Sequence, residues 1–247
     1  MQRKQKRERL DLLMVERGLV ESRQKAQALI MAGEVRVNGV VCTKAGQAVP
    51  QSAEIRVQSP FPYVSRGGLK LEAALDHFQI LVDGLLVMDV GASTGGFTHC
   101  LLQRGARKVL AVDVGHGQLD LKLRQDPRVV LLERCNIRYL TPAHLEELPH
   151  MATVDVSFIS LRLVLPAVAG LLGENRVGIL ALVKPQFEVG KKHVGPGGVV
   201  RDKELHRLVL EEIAGLGRFL GFEASEPFPC PLLGPKGNQE FFIWFTG

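Results

Sequence analysis

Apolar and polar positions follow two regimes along these 247 residues. In the first, residues 8–18 place Leu10, Leu13 and Met14 at helical intervals and stop at Gly18, a usual residue just past a helix. Ser22 then caps a second helical stretch, SRQKAQALIMAG, with Ala26, Leu29 and Ile30 on one face and Gly33 at its end. VRVNGVV alternates as a strand and is broken by Asn-Gly, the strongest short-range signal for a two-residue hairpin turn. A further short strand is expected over residues 54–57.

The second regime begins beyond QSPFPY (residues 58–63), whose two prolines and lack of periodicity mark a boundary. We expect a small domain over residues 1–58, a linker over 59–65 and a large domain over 66–247. SRGGLKLEAALDHF predicts a helix that turns Leu69, Ala73, Leu75 and Phe78 toward a core. Apolar runs then recur as strands over 85–90, 108–114, 129–135, 154–158 and 177–183. Helical patterns separate them near 95–104, 117–125, 142–148 and 161–172. Alternation of this kind predicts an α/β fold with a mostly parallel, Rossmann-like sheet covered on both faces. A long helix over 202–220 and a turn-linked last pair, 222–228 and 240–245, predict one antiparallel strand at the end.

Composition adds compartment and partner. Hydrophobic content of 46% with 23% charge suits a globular protein, and no apolar run reaches the length of a membrane span. The charges of MQRKQKRERL are not followed by an apolar stretch, unlike a secretory signal. Cys42, Cys100, Cys135 and Cys230 share no metal-like spacing, so no metal is expected and reduced, buried thiols in a cytoplasmic protein are. The net charge of +5 is uneven: residues 1–66 carry +6 and residues 67–247 carry −1. Such asymmetry points to a polyanion bound by the first quarter.

The candidate chemistry centres on LLVMDVGASTGGF, residues 85–97, a strand running into a glycine turn and a helix. Open α/β sheets bind ligands at such junctions. Asp113, ending the second strand, is placed to accept both hydroxyls of a ribose, and Asn136, ending the third, lies near where a base would sit. A dinucleotide site wants G-x-G-x-x-G, but Ser93 stands where the second glycine should approach a pyrophosphate. Asp89 before the turn suits a cationic ligand better than a phosphate. D-x-G-x-x-x-G resembles the first motif of S-adenosylmethionine (SAM) methyltransferases. Asp89, Gly91, Ser93, Thr94, Gly95, Gly96, Phe97, Asp113, Asn136 and Asp155 are the candidate SAM residues.

Three further resemblances narrow the reading. R-L-D at 9–11, S-R-Q-K-A at 22–26 and G-E-V-R-V-N-G at 33–39 resemble the α-L RNA-binding module named after ribosomal protein four. That resemblance implies Arg23, Lys25 and Arg36 against phosphates. Arg9 and Asn38 in the same motifs, with Arg66, Lys191, Lys192 and Arg201 beyond, complete the candidate RNA contacts. Lys70, Asp155, Lys184 and Glu240 match in order and context the K-D-K-E tetrad of FtsJ-like ribose 2′-O-methyltransferases. Such a lysine serves as base for a 2′-hydroxyl only where its ammonium is disfavoured, by desolvation or a second cation. The residues alone leave Lys184 open as base or as charged anchor.

The blocks VSRGGLKL, DVGASTGGFT, AVDVGHGQL, VDVSFISL, KPQFEVGKK and GPGGVVRD together resemble the TlyA (hemolysin A) family. Membership implies SAM-dependent methylation of cytidine 2′-hydroxyls in ribosomal RNA, with rRNA or ribosomal subunits as partner. The linker departs from the family's Arg and Trp, reading Phe61, Pro62, Tyr63, Val64. Residues 186–201, rich in glycine and lysine, are expected to form a mobile lid over the target nucleotide. Two competing classes are a membrane-active hemolysin, which would need a span or amphipathic cationic helix, and a nucleotide-binding Rossmann protein without methyl transfer.

Overall fold

The computed structural model describes residues 7–20, 22–31, 33–57 and 62–247, the side chains of Ala28 and Lys191 excepted. The basic tail and the linker as far as Phe61 lie outside the described residues. The chain divides after residue 60 into two compact units.

The first unit packs two helices on two small sheets. β1 (Arg7–Arg9) runs into α1 (Leu10–Glu16), followed by α2 (Arg23–Met31), β2 (Val35–Val37), β3 (Val40–Cys42), β4 (Ala48–Pro50) and β5 (Ile55–Val57). Ser22 Oγ accepts from Lys25 N at 3.2 Å, the expected cap. β2 and β3 form the expected hairpin, with Asn38 (φ 49°) and Gly39 (φ 80°) both left-handed. β2 also pairs with β5, and β1 pairs with β4. Leu10, Leu13, Met14, Ala26, Ile30, Val35 and Val49 form the core. The helix expected from residue 8 starts at Leu10 because residues 7–9 are drawn into pairing with 48–50.

The second unit is an eight-stranded sheet with helices on both faces. In chain order it comprises α3 (Gly67–His77), β6 (Leu86–Val90), α4 (Gly96–Gln103), β7 (Lys108–Val112), α5 (Leu121–Arg124), β8 (Val129–Leu132), β9 (Met151–Val154) and α6 (Leu161–Ala169). β10 (Gly178–Val183), α7 (Pro185–Glu188), α8 (Lys203–Phe219), β11 (Glu223–Ala224), β12 (Phe228–Pro229) and β13 (Phe241–Thr246) complete it. The sheet runs β11-β13-β10-β9-β6-β7-β8, with β12 also on β13. β8 to β10 are parallel through β7, β6 and β9, while β13 is antiparallel to β10. One apolar cluster, with Leu86, Met88, Val154 and Ile243, fills one face and another, with Val87, Leu101, Leu180 and Phe242, fills the other. Strands buried on both faces read as continuous apolar runs, which is why the sequence shows them plainly.

Several boundaries differ from expectation. The fourth strand is Met151–Val154, not 154–158, so Asp155 stands just past the strand end. Only Leu121–Arg124 is helical in 117–125, begun by Asp120, whose carboxylate accepts from Lys122 N at 3.0 Å. Within 142–148 only a 3-10 turn forms, at Pro142–His144. α3 buries Leu71, Ala74 and Leu75, while Leu69, Ala73 and Phe78 are half-buried. The apolar stripe is therefore rotated from the one expected.

Candidate active site

The sheet's register builds the site. Val90 stands opposite Val154, Ala181 opposite Val154, and Val183 opposite Phe241. Gly91, Asp155, Lys184 and Glu240 therefore leave the ends of four neighbouring strands at one edge, the edge where open sheets hold ligands.

Two ion pairs form there. Lys184 Nζ lies 2.5 Å from Asp155 Oδ1 and donates to Ser157 Oγ at 3.0 Å. The Asp155 oxygen is buried and met off a hydrogen-bond line, so charge rather than direction holds it. Lys70, from α3, lies 2.5 Å from Glu240 Oε2. Glu240 is 1% exposed and both lysines are 9% exposed. Burying such charges is tolerable only because each cation has its anion. The Cys230 thiol lies within electrostatic reach of Lys70, Glu240 and Asp155, and burial raises its pKa. The four tetrad candidates thus converge on one locality.

The glycine turn lies beside them. Gly91 has φ +88°, and a Cβ there would stand 2.5 Å from the Asp155 carbonyl oxygen, so no side chain fits between turn and tetrad. Asp113 Oδ2 accepts from Ser93 N at 2.8 Å and Oδ1 from Gly115 N at 2.6 Å. It thereby clips the turn to the loop after β7, keeping lone pairs for a ligand. Val114 beside it is 70% exposed, an apolar surface next to a carboxylate. Ser93 and Thr94 are exposed and Gly95 and Gly96 buried at the start of α4. Phe97 is 3% exposed and stacks on Phe242 in the core. Asp89 has no exposed surface; it accepts from Thr98 Oγ1 at 2.6 Å and Thr153 Oγ1 at 3.3 Å. Asn136 Oδ1 accepts from Arg138 N at 3.1 Å and starts a 3-10 turn.

This lining is compatible with SAM: Gly91 leaves no Cβ where the turn meets the tetrad, Asp113 offers a half-exposed carboxylate and Val114 an exposed apolar face. Among the described residues no group of three or more His, Cys, Asp or Glu is arranged to hold a metal ion. None of their helices is long and apolar enough to cross a membrane.

The candidate RNA residues have mixed surroundings. Arg9 and Arg23 both bond the buried Asp11, at 2.9 and 3.0 Å. Arg36 donates to the Gly39 carbonyl, and Asn38 Oδ1 accepts from Glu54 N. Arg66, Lys192 and Arg201 are exposed. The 186–201 stretch begins in α7, makes 3-10 turns at Lys191–His193 and Pro196–Gly198, and ends on buried Val199 and Val200.

Two neighbours of the tetrad escape the sequence reading. Ser157 receives the Lys184 ammonium; its signal is its place two residues after Asp155, on the same side of an extended chain. Phe158 is 91% exposed with φ +64°, and its ring centroid lies 5.0 Å from that of Phe187. A non-glycine residue in that region is uncommon and a bulky one rarer, so the backbone there is strained.

Comparison with known proteins agrees with this fold. The FtsJ-like methyltransferase family matches residues 63–246, and the S4 domain matches residues 8–55. The chain is 48% identical over 241 residues to the 16S/23S rRNA (cytidine-2′-O)-methyltransferase TlyA of Mycobacterium tuberculosis, covering 97% of this chain and 90% of that one. It is 41% identical over 238 residues to hemolysin A of Brachyspira hyodysenteriae, covering 96% and 99%. A solved Streptococcus thermophilus structure described as a hemolysin superposes with a TM-score of 0.76 at 44% identity, covering 98% and 89%. An S4 domain followed by an FtsJ-like methyltransferase domain, similar along nearly its whole length to these proteins, makes the chain a member of the TlyA family.

Proposed function

We propose that this protein transfers a methyl group from SAM to a ribose 2′-hydroxyl of ribosomal RNA, at cytidine as in the name of its mycobacterial relative. The observation that carries the reading is the pair of buried ion pairs, Lys70–Glu240 and Lys184–Asp155, at the sheet edge beside the turn at Gly91. A hemolysin-like activity has no feature of the site behind it.

Bound SAM supplies an electrophilic methyl group on a sulfonium. Gly91 to Gly96 would hold its amino-acid end, Asp113 its ribose and Val114 with Asn136 its adenine. The remaining work falls to the chain's own side chains. Asp155 and Glu240 hold the two ammonium groups in fixed places, so that a hydroxyl entering between them is oriented before it reacts. Lys184 is the proton acceptor in this reading: it releases its own proton to solvent, against the pull of the Asp155 carboxylate 2.5 Å away, and its freed lone pair takes the 2′-hydroxyl proton. Phe158, exposed beside them, gives a face on which an unstacked base rests. The first unit supplies RNA affinity, and the division of labour falls at the 59–65 linker.

The test is single-turnover methylation of rRNA by Lys184→Ala and Lys184→Arg. Both should lose transfer while SAM and RNA still bind, because a guanidinium stays protonated and cannot take the proton. Near-normal turnover in Lys184→Arg would make Lys184 a charged anchor, with the proton leaving to Asp155 or to water.

A further inference from the structure

Two residues before Glu240, Asn238 is 3% exposed and turns both its amide oxygen and its amide nitrogen to another segment. Its Oδ1 accepts from Val200 N at 3.0 Å and its Nδ2 donates to the Gly198 carbonyl at 2.9 Å. This is the pairing that one peptide group offers another, made by a side chain. The segment held is the far end of the 189–200 loop, where Val199 and Val200 are buried and Gly195 N donates to the Val199 carbonyl. The near end of that loop grows from α7, directly after Lys184.

Asn238 is itself tied to the tetrad. Its carbonyl accepts from Gly234 N at 2.9 Å, and Cys230 N donates to the Glu240 carbonyl at 2.9 Å. The turn between them packs so closely that a Cβ on Gly234 would stand 2.4 Å from Glu240 Oε1. On the loop side, a Cβ on Gly198 would meet Lys236 Nζ at 3.4 Å, which puts a further cation on the same rim. One end of the loop is therefore set by Lys184 and the other by Glu240 through Asn238. A buried amide with its hydrogen bonds satisfied specifies one arrangement of the segments it joins.

We propose that Asn238 is a positioning residue for methyl transfer, fixing the 189–200 loop in register with Glu240. The loop's exposed stretch, with Lys192, is then held between two fixed ends, one following Lys184 and one tied to Glu240. This rests on the methyltransferase reading above and assigns it a residue that the tetrad does not contain. Displacing a positioning group by an ångström costs as much as a hundredfold in rate without touching the chemical groups.

The test uses the full-length protein with three substitutions. Asn238→Ala removes both bonds. Asn238→Asp keeps an acceptor for Val200 N and loses the donor to Gly198. Gly198→Ala leaves Asn238 intact and strains the loop side, where φ is +81°. For each, SAM affinity is measured by calorimetry, kcat and KM on rRNA at two temperatures, and amide exchange at Val200. Asn238→Ala should lower kcat at saturating rRNA at least tenfold, keep SAM affinity within twofold and speed exchange at Val200; the other two should fall between it and wild type. An unchanged kcat, or a loss that tracks unfolding and disappears on cooling, overturns the proposal. If Asn238→Ala does not fold, Gly198→Ala decides on the same criteria. Wild-type protein that binds SAM yet methylates no rRNA rejects the functional reading instead. Exchange at Val200 then decides the clamp: faster in Asn238→Ala supports it, unchanged overturns it.

Discussion

Asp89 and Asp11 each have no exposed surface, and their surroundings push them in opposite directions. Asp89 meets two threonine hydroxyls and no cation. Burial pushes its carboxyl up to about 7, with the nearby charge of Asp155 adding to the shift and the hydroxyls opposing it. An aspartate in the unfolded chain titrates near 4. Between roughly pH 4 and 7 the unfolded chain has released a proton that the native protein keeps, so stability falls as pH rises, by at most about 1.4 kcal/mol per pH unit. Asp89→Asn removes this titration. Urea unfolding at pH 5 and pH 7.5 should show the wild type losing stability relative to the variant; parallel changes would mean that Asp89 is ionised throughout.

Asp11 behaves in the contrary sense. The Arg9 guanidinium, with Gln27 and Arg23, holds its carboxyl well below the usual carboxylate range. Its stabilisation is complete above the unfolded value near 4 and fades as pH falls below it. Asp11→Ala should cost about 1.5–3 kcal/mol for the lost charged hydrogen bonds. The lower end is expected, since the arginine side chains are 44% and 52% exposed and screened. Thermal unfolding at pH 7 measures it, and an unchanged midpoint would show that Asp11 holds nothing together.

At the scale of elements, what was legible is what a local pattern carries. Asn38-Gly39 announces its hairpin because the turn itself demands those residues, and the runs at 86–90 and 108–112 announce buried strands because both faces are apolar. β1 and β4 are silent in the sequence: three residues each, they exist only through pairing between Arg7 and Pro50 and their neighbours. The tetrad was readable only through its resemblance to the K-D-K-E order of FtsJ-like enzymes, with Asp155 and Lys184 alone standing out as charges in apolar strands. How they pair, Lys70 with Glu240 and Lys184 with Asp155, was not, because it depends on strand register. Asn238 was invisible for the same reason, its partners lying 38 and 40 residues away. The 189–200 loop gives the prediction at this scale. Lys191→Ala with Lys192→Ala should raise the KM for rRNA several-fold with SAM affinity unchanged, and a normal rate at limiting RNA would reject the loop as an RNA contact.

For the whole molecule, the charge division and the fold division coincide near residue 60. Each unit has its own apolar core. Deleting residues 1–58 should therefore leave a folded protein that binds SAM and loses most of its rRNA affinity. Intact protein should lose affinity steeply with salt, as phosphate contacts release counterions. A 59–247 fragment that methylates rRNA as well as the full chain would refute the division.

The placement of β13 bears on when this protein becomes active during its own synthesis. Of the sheet's strands it is the last to be made, yet it lies inside the sheet, between β10 and β11, and Phe242 to Phe245 are buried. A nascent chain lacking it presents β10 with an unpaired edge and two open apolar faces, the kind of surface that holds folding back or invites aggregation. Glu240 arrives with that strand, so Lys70 has no counter-charge until then. On this topology a chain in which β13 has not yet been placed holds Lys70 without the carboxylate it pairs with in the finished sheet.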